Sequence, residues 1–123
     1  MILVVDDESH IVNVVSLKLR NAGFTVVTAS DGEEAFELAQ QCLPELIITD
    51  YQMPFLSGLE MCEKLKQTPA TAHIPALMLT ARGFSLTQAD LAPTNVVGVL
   101  SKPFSPREIV KRVQELVGTF AGR

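Results

Sequence analysis

Two hydrophobic rhythms alternate along the chain. Short runs rich in β-favouring residues fall at positions 2–5, 24–28, 46–50, 76–79 and 96–100, the last broken by Gly98. Runs of this length and composition are what a parallel sheet buries on both faces. Between them, apolar residues recur at helical spacing: Ile11, Val15, Leu19 and Ala22, then Ala35, Leu38, Ala39 and Cys42, then Leu59, Cys62 and Leu65, and finally Ile109, Val113, Leu116 and Val117. Each such stretch predicts a helix with one face turned inward.

Local signals punctuate the pattern. Gly23 suits a left-handed cap that ends the first helix, and Pro44 marks the end of the second. Ser30 with Glu33, and Ser57 with Glu60, have the Ser-x-x-Glu form of a capping box. Ser105, Pro106 and Glu108 make the strongest helix start in the chain. The region 85–95 is less regular: Ser85 and Gln88 suggest a short fourth helix over 85–91, which Pro93 stops. The exposed tail 118–123 is expected to fray.

Strands that alternate with helices imply right-handed crossovers and therefore a parallel sheet covered on both sides. In such a sheet every strand ends at the same edge. Asp6 and Asp7 follow the first strand, Asp50 ends the third, and Thr80 and Lys102 follow the fourth and fifth. Taken singly, each has an ordinary explanation. Asp6, Asp7 and Glu8 could open a helix, Asp50 could be a turn residue, Thr80 a strand-end cap, and Lys102 a surface ion pair worth under about 1 kcal/mol. Their arrival at one edge makes them a candidate site.

Composition narrows the classes. The chain has 123 residues, 47% of them hydrophobic and 20% charged, which suits one packed domain over 1–123. A net charge of -4 without a basic run gives no footprint for direct nucleic-acid binding and no polybasic membrane patch. With no apolar run long enough to cross a bilayer and no signal-peptide pattern, an intracellular, cytoplasmic location is expected. Cys42 and Cys62 read as small apolar core residues and match no zinc spacing. His10 and His73 read as structural or solvated.

Three clustered carboxylates repel one another unless a cation lies between them, and an open site of this kind suits Mg²⁺ with a phosphate as further ligand. An ammonium, a hydroxyl and a divalent ion are the groups that hold phosphoryl oxygens during in-line transfer. Asp50, alone on a central strand, is then the candidate nucleophile for an aspartyl phosphate.

These residues resemble the receiver domain of two-component response regulators, including its single-domain chemotaxis members. Val4-Val5-Asp6-Asp7-Glu8 is similar to the family's acid pair, Asp50-Tyr51-Gln52-Met53-Pro54 to its phosphoacceptor motif, Thr80-Ala81 to its switch hydroxyl, and Lys102-Pro103-Phe104 to its lysine signature. The resemblance covers essentially the whole chain. It implies a flavodoxin-like, doubly wound α/β fold, a five-stranded parallel sheet of order 2-1-3-4-5 with five helices. It also implies a phosphoprotein that is a signalling switch and not an enzyme, although it assists its own phosphotransfer and dephosphorylation. Asp50 would take a phosphoryl group from a sensor histidine kinase or a histidine phosphotransfer protein. Asp7, Asp50 and the Gln52 carbonyl would bind Mg²⁺ directly, and Asp6 largely through water. Thr80 would turn to the phosphoryl oxygens, and Lys102 would pair first with the acids and then with the phosphate. The Lys102–Pro103 peptide would be cis. A downstream protein or an output domain would read the result.

The chain departs from the family pattern in places. Val99 stands where an aromatic switch residue is usual. Gln52 and Arg82 occupy positions that influence loss of the phosphoryl group, and the segment 84–95 is shorter than a full fourth helix. Two other readings are an interaction module that keeps the site without using it, which the complete acid, hydroxyl and lysine set opposes and Val99 mildly favours, and a Mg²⁺-dependent phosphatase. The second needs an acid two residues after the nucleophile, where Gln52 cannot donate a proton.

Overall fold

The sheet is built from the runs that carry least polar character. In a computed structural model that describes residues 1–81 and 86–117, β1 (Ile2–Val5), β3 (Leu46–Asp50) and β4 (Ala76–Thr80) are buried at every position. They form the centre. The edges are β2 (Val26–Ala29) and β5 (Val96–Ser101), whose burial is only partial. All pairings are parallel and the order is β2-β1-β3-β4-β5. The residue pattern and the observed strand positions therefore agree, as expected where both faces are covered.

The helices divide between the two faces. α1 (Ser9–Asn21) and α5 (Pro106–Val117) cover one, with Val15, Leu19, Ile109 and Val113 packed on Ile2, Val4, Ile48 and Leu77. α2 (Gly32–Cys42) and α3 (Gly58–Gln67) cover the other, with Ala35, Ala39, Met61, Cys62 and Leu65 packed on Leu3, Val5, Ile47 and Met78. Successive β1 residues thus enter opposite cores, and the fold is doubly wound because the chain goes outward from β1 first to β2 and then the other way to β3, β4 and β5. Burying each Ile or Leu of these strands contributes roughly 1.5–3 kcal/mol. Met61 belongs to the α3 core as well, although the helical pattern singled out Leu59, Cys62 and Leu65.

Several boundaries differ from the sequence expectation, each for a local reason. The second strand begins at Val26 and not at Phe24. The Phe24 N–H bonds to the Leu19 carbonyl and the Gly23 N–H to that of Arg20, and Gly23 has φ +100°. Together these form a Schellman cap whose apolar contact is Phe24 on Leu19, so Phe24 closes α1. The α2 cap sits one residue later than Ser30: Asp31 accepts from the Glu34 N–H at 2.8 Å, and Glu34 reaches back to the Ser30 N–H at 2.7 Å. The box at Ser57 and Glu60 forms as expected.

The short fourth helix, α4 (Gln88–Leu91), is opened by Thr87, with the Asp90 carboxylate returning to the Thr87 N–H. The expected opening at Ser85 lies outside the described residues, as do Arg82 and the tail 118–123. Gly98 marks a bulge: Ala76 pairs with Val96 but Leu77 with Gly98, leaving Val97 as the extra residue. A Cβ at Gly98 would overlap the Arg112 guanidinium.

Candidate phosphoacceptor site

The parallel topology brings four strand ends together, and the side chains there are the ones the sequence singled out. Asp50, the last residue of β3, is 5% exposed, while Asp6, directly after β1, is 1% exposed. Asp7 beside it is exposed. Carboxylate oxygens of Asp6, Asp7 and Asp50 all lie within 4.8 Å of one another. None of the three acids after β1 caps α1 through its side chain; Glu8 is the N-cap residue without a side-chain bond. Instead the Glu8 N–H donates to Asp6 Oδ1 at 2.9 Å, which holds the Asp6 carboxylate at the edge.

Lys102 arrives from the far side. Its backbone N–H donates to the Thr80 carbonyl at 2.7 Å, extending the β4–β5 ladder by one rung. That rung aims the side chain at the acids: Nζ lies 3.1 Å from Asp50 Oδ1, 3.6 Å from Glu8 Oε1 and 3.8 Å from Asp6 Oδ2. The Lys102–Pro103 peptide is cis. Thr80 is fully buried, and its Oγ1 has no hydrogen-bond partner among the described residues. Because Asp50 pairs with Leu79 across the sheet, Thr80 stands one residue beyond the phosphoacceptor candidate on the adjacent strand.

Burial sets the electrostatics. It pushes the Asp6 carboxyl up to about 7, with the Asp50 charge adding to the rise and the Glu8 N–H and Lys102 opposing it. Burial also raises Asp50, and the bond and charge of Lys102 only partly counter this. For Lys102, burial works against the charged form, but the bond to Asp50 and the nearby acids outweigh it and the ammonium is held above its usual range. One ammonium among three carboxylates leaves net negative charge. Asp6 Oδ2 is buried without a hydrogen-bond partner among the described residues. A compact set of hard oxygen donors with excess charge fits Mg²⁺.

An open cleft of about 710 Å³ lies over the site, walled by Asp7, Glu8, Gln52, Met53, Ser57 and Lys102. Gln52 lies on the cleft wall. His10 and His73 are exposed, and neither lines the cleft. Val99 is half-buried against the α2–α3 core.

Sequence reasoning missed two supports. Glu8 shares the Lys102 ammonium. Gly58 packs so closely on the end of β3 that a Cβ there would overlap the Asp50 carbonyl, and its N–H donates to the Tyr51 carbonyl at 2.8 Å. A glycine directly after a capping serine was the available signal for the latter.

The chain is 40% identical over 116 residues to the alkaline phosphatase synthesis transcriptional regulatory protein PhoP of Bacillus subtilis, a match covering 94% of this chain and 48% of that protein. It spans about half the length of the curated relatives it matches. Among solved structures, chemotaxis protein CheY4 of Vibrio cholerae superposes with a TM-score of 0.86 at 33% identity, over 94% of this chain and 97% of that one. The receiver domain of sensor histidine kinase PA1611 from Pseudomonas aeruginosa, solved with a magnesium ion coordinated in its active site cleft, gives 0.84 at 25% identity over 95% and 96%. Residues 2–114 match the response regulator receiver domain, and it is to this family that the chain belongs.

Proposed function

We propose that the chain is a phosphorylation-controlled signalling switch in which Asp50 accepts a phosphoryl group from a phosphohistidine on a sensor kinase or phosphotransfer protein. The observation that carries this reading is the Lys102 ammonium 3.1 Å from Asp50, set among three carboxylates within 4.8 Å of one another. An Asp50 oxygen attacks phosphorus as the bond to the donor imidazole nitrogen breaks, and the imidazole leaves with the electron pair. Lys102 balances charge on the phosphoryl oxygens. Asp6, Asp7, Asp50 and the Gln52 carbonyl would hold Mg²⁺, which when bound supplies further neutralisation of that charge. The Thr80 hydroxyl, buried without a partner among the described residues, gains an acceptor once a phosphoryl oxygen arrives. This difference between states biases the surrounding loops.

In this reading the chain is a phosphoacceptor rather than an enzyme with a turnover substrate. It works in the cytoplasm, where a kinase can reach it, and passes its state to a downstream protein or an output domain. The longer relatives include transcriptional regulators by name; for this chain, a net charge of -4 supports action through protein contacts and not through direct binding of nucleic acid.

The test is incubation with Mg²⁺ and a small acyl phosphate, followed by intact mass measurement. One added phosphoryl group, absent in Asp50→Asn, is expected. An unlabelled chain, or labelling that survives Asp50→Asn, would refute the reading.

A further inference from the structure

The loop between β3 and α3 carries a side chain that the chemistry at Asp50 does not use. Phe55 is 87% exposed and its φ is +69°. The Leu56 N–H donates to the Pro54 carbonyl at 2.8 Å, closing a three-residue turn with Phe55 at its centre. A positive φ at that position suits glycine and strains any residue with a Cβ. An aromatic ring in solvent on a strained backbone buries almost nothing, so folding does not account for it.

The turn is nevertheless held firmly. Leu56 packs on the α2–α3 core. Its carbonyl lies so close to the start of α2 that a Cβ at Gly32 would come within 2.7 Å. On the other side, Ser57 is locked into the α3 capping box. The ring is therefore presented outward from a rigid base, on the loop whose Met53 and Ser57 line the cleft together with Asp50.

We propose that Phe55 is an aromatic anchor for the protein that delivers the phosphoryl group, a proposal that rests on Asp50 being the acceptor. Asp50 is recessed at 5% exposure, so a protein-borne phosphohistidine reaches it only when the donor surface closes over the cleft, one wall of which is formed by Met53 and Ser57 of the loop that carries Phe55. A small phosphodonor enters without touching it. The exposed charges at the mouth, Asp7 and Glu8, repel an incoming phosphoryl group, and a rigid aromatic contact supplies attraction that charge does not. Aromatic anchors of low conformational freedom are the residues on which protein interfaces most often depend.

The test compares two donors on the same chains: phosphoramidate with Mg²⁺, and an autophosphorylated histidine-kinase fragment chosen because it labels the unsubstituted chain fastest. Phe55→Ala and Phe55→Gly are expected to keep the phosphoramidate rate and to lose about tenfold or more in kcat/KM with the kinase, mainly through KM. Phe55→Tyr should retain the kinase rate. Phe55→Gly should melt at a higher temperature than the unsubstituted chain, which separates docking from stability. Unchanged kcat/KM with the kinase would overturn the anchor, as would equal losses from both donors. Failure of the unsubstituted chain to take phosphate from phosphoramidate would instead overturn the acceptor reading beneath it.

Discussion

Replacing Gly58 with Ala tests how tightly the β3–α3 junction fixes Asp50, the proposed phosphoacceptor. The added methyl would overlap the Asp50 carbonyl oxygen and come within 3.1 Å of both the Asp50 carbonyl carbon and Thr49 Oγ1. None of these is the free end of a flexible side chain. Thr49 Oγ1 is itself bonded to the Asp50 carbonyl at 3.0 Å, and the Gly58 N–H is tied to Tyr51, so relief requires the end of β3 to move. Overpacking of this kind costs about 1–3 kcal/mol, and loosening the Gly58–Tyr51 bond adds about 1 kcal/mol. The better helix propensity of alanine returns up to about 1 kcal/mol. The net expectation is a loss of roughly 1–3 kcal/mol, or a Tm lower by about 5–15 °C for a chain of this size. Displacing Asp50 by on the order of 1 Å should also slow labelling by phosphoramidate about a hundredfold.

The control is Gly23→Ala, where no atom lies within 4 Å of the new methyl but φ is +100°. That substitution costs about 1–2 kcal/mol of backbone strain and should leave labelling unchanged. Thermal unfolding followed by circular dichroism, paired with labelling rates from intact mass, reads both effects. If the two variants melt alike and label alike, or if Gly58→Ala labels at the unsubstituted rate, the steric account of the site is wrong.

Three further outcomes are expected. Because Asp6 is raised to about 7, the folded metal-free chain holds a proton that the unfolded chain has lost. Its contribution to stability is full below the ordinary carboxylate value of 3.8 and disappears as pH rises through about 7. Mg²⁺ must displace that proton, so its apparent affinity should fall about tenfold per pH unit below 7; a titration followed by the fluorescence of Tyr51 that gave a pH-independent constant would count against this. Thr80→Val removes a buried hydroxyl with no partner among the described residues and should stabilise the unphosphorylated chain by about 1 kcal/mol, seen as a raised urea midpoint; a lowered midpoint would mean that the hydroxyl is satisfied. Asp31→Ala removes the α2 cap bond and should cost about 1 kcal/mol, with no change in labelling; an unchanged midpoint would contradict the cap.

Most of the fold was legible because the chain encodes it redundantly. β1, β3 and β4 are apolar at nearly every position and buried at every position, so period and composition pointed the same way. Where two local signals competed, the sequence was ambiguous. Ser30 and Asp31 are both good caps, and only the geometry of Glu34 decides between them. Phe24 has the composition of a strand residue, but its N–H and its ring are both claimed by the end of α1. At α4, Thr87 and Asp90 form a capping box with an aspartate in the returning position, which a search for Ser or Thr with Glu or Gln overlooks.

The site divides in the same way. Its charged members were legible because parallel topology places every strand end at one edge, so connectivity alone predicts that Asp6, Asp50 and Lys102 meet. What connectivity cannot supply is depth. Asp50 is recessed at 5% exposure on a strand whose end Gly58 approaches closely, and close approach of two backbones leaves no mark in a hydrophobic pattern. Phe55 is the converse case. Its apolar side chain is exposed because the turn that Pro54 and Leu56 close around it turns the ring into solvent. Both depend on the same seven residues between Asp50 and α3, where the chain departs from helix and strand. There, placement follows from backbone geometry and not from side-chain type, which explains why the residues that hold the aspartate in place were harder to find than the aspartate.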